Sequence, residues 1–154
     1  MDHYLITEES IKSKDAHRLI NELSDMLQDI TGDSGRNSFD ISDLDNPRAL
    51  FVIARDVTGE AVGCGAFRPY REDIAEVKRM YARHKANSIG TQILSYIEER
   101  AKAFGYSRIW LETRIINIKA MTFYENRGYH KIGNYGKYID NDKAICFEKI
   151  LYKL

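Results

Sequence analysis

The stretch that decides the fold is IAEVKRMYARHKANSIGTQILSYIEERAKAFGYSRIWLET, residues 74–113. Apolar and polar residues alternate over 74–82, which predicts a β-strand. Apolar residues then recur at helical spacing over 89–104, Gly105 ends that pattern, and a second strand-like run follows at 108–113. A strand, a helix and a strand in this order predict a right-handed parallel crossover.

The remaining elements follow from the same periodicities. Apolar residues at helical spacing predict a helix over 16–30, with Ser13 as its N-cap and Gly32 at its end. Further elements are predicted as strands at 4–7, 49–56, 60–67, 129–132 and 144–150 and as a short helix at 117–127. The acidic, turn-rich segment 33–47 is either an ordered loop or a short second helix. The fold class is therefore α/β (α+β), with a mixed, mostly antiparallel sheet of about six to seven strands flanked by about four helices.

Composition and charge narrow the class of protein. The chain has 154 residues with 23 basic and 23 acidic side chains, so we expect one domain over residues 1–154. Residues 1–48 hold 11 acidic and 5 basic side chains, whereas residues 49–154 hold 12 acidic and 18 basic. This modest positive excess suits a small phosphorylated ligand better than duplex DNA, and no nucleic-acid partner is expected.

Membrane, targeting and metal signals are missing from the sequence. The longest apolar run, at 49–54, is far shorter than the roughly 20 residues of a membrane helix, and the chain does not begin with a secretory signal. We therefore expect no membrane partner and a cytoplasmic location. Cys64 and Cys146 lie in apolar runs without the spacing of metal ligands, which predicts two core residues and no metal.

The junction KRMYARHKANSIGT, residues 78–91, has the features of an anion site. The first N–H groups of a helix lack partners and lie at the positive end of its dipole, so a pyrophosphate can bind there. Ser88, Gly90 and Thr91 are small enough to allow a close approach. Ordinary capping of the helix is an equally good interpretation of these residues taken alone. The sequence contains neither GxxxxGK[ST] nor GxGxxG, which disfavours nucleotide hydrolysis and dinucleotide binding.

A second motif follows this junction in the order found in a known family. WLETR at 110–114 precedes Asn117, Ala120 and FYENRGY at 123–129. With the preceding helix, this series resembles the GCN5-related N-acetyltransferase (GNAT) family, most strongly over 50–133. In that family an [RQ]xxGx[GA] loop binds the pyrophosphate of acetyl-CoA and an N..A..FYE..GF segment follows. The resemblance implies a GNAT-like sheet with a splayed parallel strand pair, and acetyl-CoA as the acetyl donor.

The resemblance also implies roles for individual residues. The residues expected to bind the cofactor are Met80, Tyr81, Ala82, Lys85, Asn87, Ser88, Ile89, Gly90, Thr91, Asn117 and Tyr124. Tyr124 matches the family tyrosine near the thioester sulfur, where a phenol can protonate the departing thiolate.

Candidates for the general base and for acceptor binding are less specific. Glu76 is the first choice for the base and Glu112 the second, although salt bridges would equally explain both carboxylates. The resemblance directs acceptor binding to the segment after the first helix and the strand edges facing it. There Asp33 would attract an amine and Arg36 would hold a carboxylate, with Glu112 also on the acceptor side.

These observations lead to one function and one alternative. We expect an acetyl-CoA-dependent N-acetyltransferase that acts on a primary amine of a small molecule or peptide by direct attack in a ternary complex. Cys64 has no evident His partner, which argues against a covalent intermediate. The alternative is a non-catalytic acyl-CoA-binding or regulatory module, because KANSIG at 85–90 lacks two glycines of the family loop. The sequence leaves a homodimer open.

Overall fold

The computed structural model describes residues 3–36, 39–83 and 88–152. Within them lie seven β-strands, three α-helices and two 3₁₀ helices. The strands are β1 (Leu5–Glu8), β2 (Leu50–Arg55), β3 (Ala61–Arg71), β4 (Ile74–Ala82), β5 (Arg108–Arg114), β6 (His130–Ile132) and β7 (Ala144–Ile150). The α-helices are α1 (Lys14–Thr31), α2 (Ile89–Ala103) and α3 (Ile118–Glu125), and the 3₁₀ helices are Ile41–Leu44 and Gly136–Tyr138.

All seven strands form one sheet in the order β1-β2-β3-β4-β5-β7-β6. The β4–β5 pair is parallel and the other neighbouring pairs are antiparallel. Because α2 connects β4 to β5, the parallel crossover and the mostly antiparallel sheet expected from the sequence are confirmed.

Helices cover both faces of the sheet. On one face Ile93 and Ile97 of α2 and Tyr124 of α3 join the larger buried apolar cluster. On the other face Ala16 and Leu19 of α1 pack into a second cluster. Below, these faces are called the α2 side and the α1 side.

Local signals set the ends of α1 and the structure of the segment after it. The Ser13 hydroxyl accepts a hydrogen bond from the Ala16 N–H at 3.1 Å, and Gly32 ends the helix at φ 76°, a conformation that favours glycine. Of the two interpretations of segment 33–47, the short helix is found, as the 3₁₀ turn Ile41–Leu44 capped by Asp40.

β4 carries a bulge and separates from β5 along its second half. Two residues of β4, Arg79 and Met80, lie opposite the single residue Gly65 of β3, and Arg79 has φ 57°. A Cβ at Gly65 would lie 2.6 Å from the Met80 sulfur, so this close approach requires glycine. The parallel ladder pairs only 74–76 of β4 with 108–110 of β5, although both strands continue. The strands therefore separate, as the splayed pair requires.

Candidate active site

The candidate active site is the cleft that opens where β4 and β5 separate. Its cavity of about 430 Å³ lies within the usual range for small-ligand sites. Residues 77–82 of β4 form one wall and residues 111–114 of β5 form the other. α1 adds apolar side chains on the α1 side, and α3 and the first turn of α2 contribute on the α2 side.

The N-terminus of α2 has no side-chain cap. Ser88 occupies the N-cap position, but its hydroxyl accepts from the Gln92 side chain at 2.7 Å instead of from a backbone N–H of the helix. The first turn holds no acidic residue, and Gly90 and Thr91 line the cleft. Without a side-chain acceptor, the N–H groups of this turn favour an anion.

Arg127 places a positive charge beside this helix end. Its Nε donates to the Thr91 hydroxyl at 3.0 Å, Nη1 donates to the Phe123 carbonyl at 2.8 Å, and the guanidinium lies 3.8 Å from the centre of the Phe123 ring. No carboxylate within the described part of the chain pairs with Arg127. We did not identify it from the sequence, although its place in FYENRGY was a usable signal. The positive charge of Arg127 strengthens the anion site at the N-terminus of α2.

Ile89 and Gly90 act through packing. The Ile89 side chain is fully buried in the core and does not line the cleft, so its expected cofactor contact stays a prediction that would involve its backbone. A Cβ on Gly90 would lie 3.2 Å from the Phe123 ring, so the glycine makes room for α3 as well as for a ligand. Lys85 and Asn87, also expected to bind the cofactor, lie outside the described residues.

The Tyr124 hydroxyl differs from those of the other buried tyrosines. Those hydroxyls are hydrogen-bonded: Tyr106 to the Arg48 carbonyl, Tyr129 to Glu98, Tyr135 to Glu76 and Tyr138 to Lys78. Tyr124 is 8% exposed and lines the cleft, and its hydroxyl has no hydrogen-bond partner within residues 3–36, 39–83 and 88–152. Burial raises the pKa of Tyr124, so the phenol keeps its proton. Its hydroxyl is therefore available to a ligand.

The other expected cofactor residues also line the cleft. Met80, Tyr81 and Ala82 belong to the β4 wall. The Tyr81 hydroxyl donates to Glu22 at 3.0 Å, and burial together with this bond raises the pKa of Tyr81 to about 12. Asn117 caps α3 by accepting from the Ala120 N–H at 3.3 Å and also faces the cleft. Capping is thus one role of Asn117, and cofactor binding stays a prediction.

Glu112 brings a carboxylate to the α1 side of the cleft. Its side chain is 9% exposed, and Arg114 donates to it at 2.6 Å. Burial raises the pKa of the Glu112 carboxyl, an effect that the nearby charge of Arg114 partly offsets. A carboxylate with a raised pKa that faces a cleft is a candidate general base.

Glu76, the first choice for the base, lies where the strands are still paired, a placement that disfavours this role, which stays a prediction. It is 1% exposed and does not line the cleft. Its carboxylate accepts from Arg68 Nη2 at 2.7 Å and from the Tyr135 hydroxyl, and the Lys78 ammonium lies 3.7 Å away. Burial and its position outside the cleft lining separate Glu76 from an amine bound in the cleft.

The two acceptor residues proposed after α1 are separated. Asp33 lines the cleft, 3.5 Å from Arg114. Arg36 lies in a neighbouring depression with Asp40, Asp43, Arg68 and Lys137, where it donates to Asn21 at 3.3 Å. Of this pair, Asp33 alone is among the residues lining the cleft.

Comparisons with known proteins agree with this geometry. The model of the acetyltransferase (GNAT) family matches residues 16–129. The chain belongs to the GNAT family of N-acetyltransferases. It is 32% identical to the IAA acetyltransferase of Azospirillum brasilense over 154 residues, which cover 98% of this chain and 100% of that protein.

Solved GNAT structures show the same fold. A candidate acyl-CoA N-acyltransferase from Klebsiella pneumoniae superposes with a TM-score of 0.81 at 26% identity, covering 97% of this chain and 98% of that one. A GNAT acetyltransferase from Elizabethkingia anophelis, solved with acetyl-CoA bound, has a TM-score of 0.70 at 14% identity, covering 97% and 99%.

Cys64 lies in the core of this GNAT protein, near the cleft but not in it. It is completely buried, its thiol donates to the Arg79 carbonyl at 3.3 Å, and burial raises its pKa to about 12. A thiol held protonated is a poor nucleophile. Cys146 is buried as well, and both cysteines are free.

The described residues hold neither a candidate metal site nor a membrane-spanning helix. No group of three or more His, Cys, Asp and Glu side chains there could hold a metal ion. No helix there is long and apolar enough to cross a membrane.

Proposed function

We propose that this GNAT protein transfers the acetyl group of acetyl-CoA to a primary amine of a small molecule or peptide, by direct attack in a ternary complex. The observation that carries the proposal is the unbonded, protonated hydroxyl of Tyr124 at the wall of an open cleft. An unsatisfied phenol is costly in a core but useful as a proton donor.

The α2 side of the cleft fits acetyl-CoA. The uncapped N-terminus of α2 and the guanidinium of Arg127 suit a pyrophosphate. From there the separated strands β4 and β5 leave a path into the cleft along Met80 and Ala82, whose backbone we expect to meet the pantetheine arm. The Elizabethkingia neighbour was solved with the same molecule bound.

Glu112 and Tyr124 supply the two proton transfers. The Glu112 carboxylate accepts a proton from the acceptor ammonium, directly or through a water molecule. The neutral amine then attacks the thioester carbonyl, forming the C–N bond and breaking the C–S bond. Tyr124 donates its proton to the departing thiolate, while the amide nitrogen gives up its second proton to solvent. Cys64 is not required, in agreement with its protonated, buried thiol.

The experiment has two arms with the full chain. Calorimetry measures the binding of acetyl-CoA, and release of free thiol is then followed over a panel of primary amines. We expect acetyl-CoA to bind and at least one amine to accelerate thiol release above the rate of hydrolysis. Binding without turnover on any amine would favour the non-catalytic module, and no binding would overturn both. A cytoplasmic location and a single domain over residues 1–154 stay predictions.

A further inference from the structure

Arg79 is a buried arginine without a carboxylate partner. Its residue is 9% exposed and its side chain lines the α1 side of the cleft. Nη2 donates to the Gly35 carbonyl at 2.8 Å, and the guanidinium lies 5.1 Å from the centre of the Phe39 ring. Nε is covered and has no hydrogen-bond partner. Nη1 makes no hydrogen bond to the residues that the structure describes.

Two other arginines near the cleft pair with carboxylates, whereas Arg127, on the α2 side, has no such pair among the described residues. Arg83 contacts Glu22 at 2.8 Å and Arg114 contacts Glu112 at 2.6 Å, yet both are more exposed than Arg79. Burial, with a contribution from the positive charge of Arg36, lowers the pKa of Arg79. A guanidinium nevertheless stays protonated in proteins, so the α1 side carries a buried, uncompensated positive charge.

The backbone holds this charge in place. Arg79 is the one described residue other than glycine with a positive φ, in the bulge of β4. Such a conformation is strained for a residue with a Cβ and persists where the surrounding structure enforces it. The bulge places residues 78 and 79 in succession on the cleft wall, so the guanidinium is fixed at the opening between the strands.

We propose that Arg79 binds a carboxylate of the acceptor, so that the acceptor is a small primary amine that also carries a carboxylate. This inference rests on the acetyl transfer proposed above. An arginine with a free N–H donor is suited to a carboxylate, and the pair forms a strong charge-assisted hydrogen bond where water is excluded. An acceptor carboxylate supplies the negative charge that the described protein residues do not.

The residues around Arg79 indicate how the acceptor is oriented and that its body is apolar. Glu112 faces the cleft from β5, the strand opposite Arg79, so the two charges attract opposite ends of one zwitterion: amine toward Glu112 and carboxylate toward Arg79. Leu23, Leu27 and Phe39 line the same side. They provide an apolar surface for the body of the acceptor.

The first test compares two matched acceptors, L-phenylalanine and phenethylamine, which differ by one carboxylate. We expect kcat/KM for thiol release to be at least about tenfold higher with L-phenylalanine. This factor corresponds to the free energy that one hydrogen bond to a charged group contributes. Arg79→Gln should abolish this preference by lowering the value for L-phenylalanine while leaving that for phenethylamine within about twofold. Equal losses for both acceptors, or no preference in the wild type, would overturn the assignment.

A second test needs no turnover. 3-Phenylpropionate has the carboxylate but no amine, so calorimetry in the presence of CoA measures the carboxylate site alone. We expect it to bind the wild type and to bind Arg79→Gln at least about tenfold more weakly. Arg100→Gln is the control for loss of an arginine elsewhere, because Arg100 lies on α2 away from the cleft, where its Nε is 3.5 Å from the Glu8 carboxylate.

Thermal melting separates a binding role from a structural one. Removing an uncompensated buried charge should leave the Tm of Arg79→Gln equal to or above that of the wild type. A fall in Tm, with unchanged binding of 3-phenylpropionate, would assign Arg79 to fixing the loop at Gly35. Acetyl-CoA binding and turnover of phenethylamine report the proposed function, so they remain intact if only the carboxylate assignment fails.

Discussion

The two halves of the β4–β5 pair are opposite in character. In the paired half, 74–76 with 108–110, the buried Glu76 bonds to Arg68 and the half-buried Trp110 donates to Glu148. In the open half, 77–82 with 111–114, the wall includes Arg79 without a carboxylate, and the unbonded Tyr124 hydroxyl faces the opening.

This difference explains where chemistry is concentrated in the fold. A polar group whose bonds are all made within the protein stabilises the structure but has nothing left for a substrate. A polar group without a hydrogen-bond partner lowers the stability of the protein, and such groups occur at sites where a ligand can supply the missing partner. The bulge at Arg79 lies in the half of β4 that is no longer paired with β5, where Arg79 lines the cleft.

Tyr124→Phe tests the open half most strongly. The ring keeps its packing and only an unbonded hydroxyl is lost, so we expect kcat to fall about 10²- to 10⁴-fold, the usual range for general acid catalysis, with little change in Tm. Single-turnover measurement of thiol release avoids masking by a slow product step. Tyr129→Phe is the control, since it loses a bond to Glu98 and should lower Tm with kcat within about twofold. An unchanged single-turnover rate in Tyr124→Phe would return this residue to the core.

Glu112→Gln tests the proposed base. We expect kcat/KM to fall about 10²- to 10³-fold. A base must be ionised, and burial raises the pKa of Glu112 above its ordinary 4.5, so wild-type activity should rise as pH increases through that raised value. The variant should lose this acidic limb. A limb that persists in Glu112→Gln would assign the titration to another group.

Glu76→Gln tests the paired half. Glu76→Gln removes a negative charge that is buried between the positive charges of Arg68 and Lys78. Because those two charges then lose this partner, we expect the free energy of unfolding to fall by about 3 kcal/mol. Urea denaturation measures the loss, and the pH dependence of activity should keep its shape. Glu99→Gln, at an exposed pair with Lys102, should change stability by less than about 0.5 kcal/mol. Loss of the acidic limb without loss of stability would make Glu76 the base after all.

Arg127→Gln should have the smallest effect. A partly exposed cation near a helix N-terminus contributes screened attraction, so we expect the Kd for acetyl-CoA to rise about three- to tenfold at low salt, and less at high salt. Calorimetry at two salt concentrations measures both. Lys131→Gln, on the exposed strand β6, removes the same charge elsewhere and should leave Kd unchanged. An equal effect from the two variants would mean that only net charge matters.

Local signals in the sequence determined most of the fold. Alternation over 74–82 and helical spacing over 89–104 depend on neighbouring residues only, so the crossover was predictable. The caps at Ser13 and Asn117 were predictable for the same reason, since their side chains bond to the turn that follows them. The motif FYENRGY likewise placed Tyr124, which lines the cleft.

What only the tertiary structure decided is which polar groups are already satisfied. Glu76 and Glu112 look alike in sequence, because each is a glutamate in a strand near basic residues. However, Tyr135 bonds to Glu76 from a distant part of the chain, and Arg68 lies opposite it on the neighbouring strand β3. The bulge at Arg79 lies opposite Gly65 of another strand, and Arg127 meets the N-terminus of α2 only through folding. Hydrogen bonds between distant segments leave no periodic pattern in the sequence. A helix or a strand, by contrast, is visible in the regular spacing of apolar residues that are neighbours along the chain.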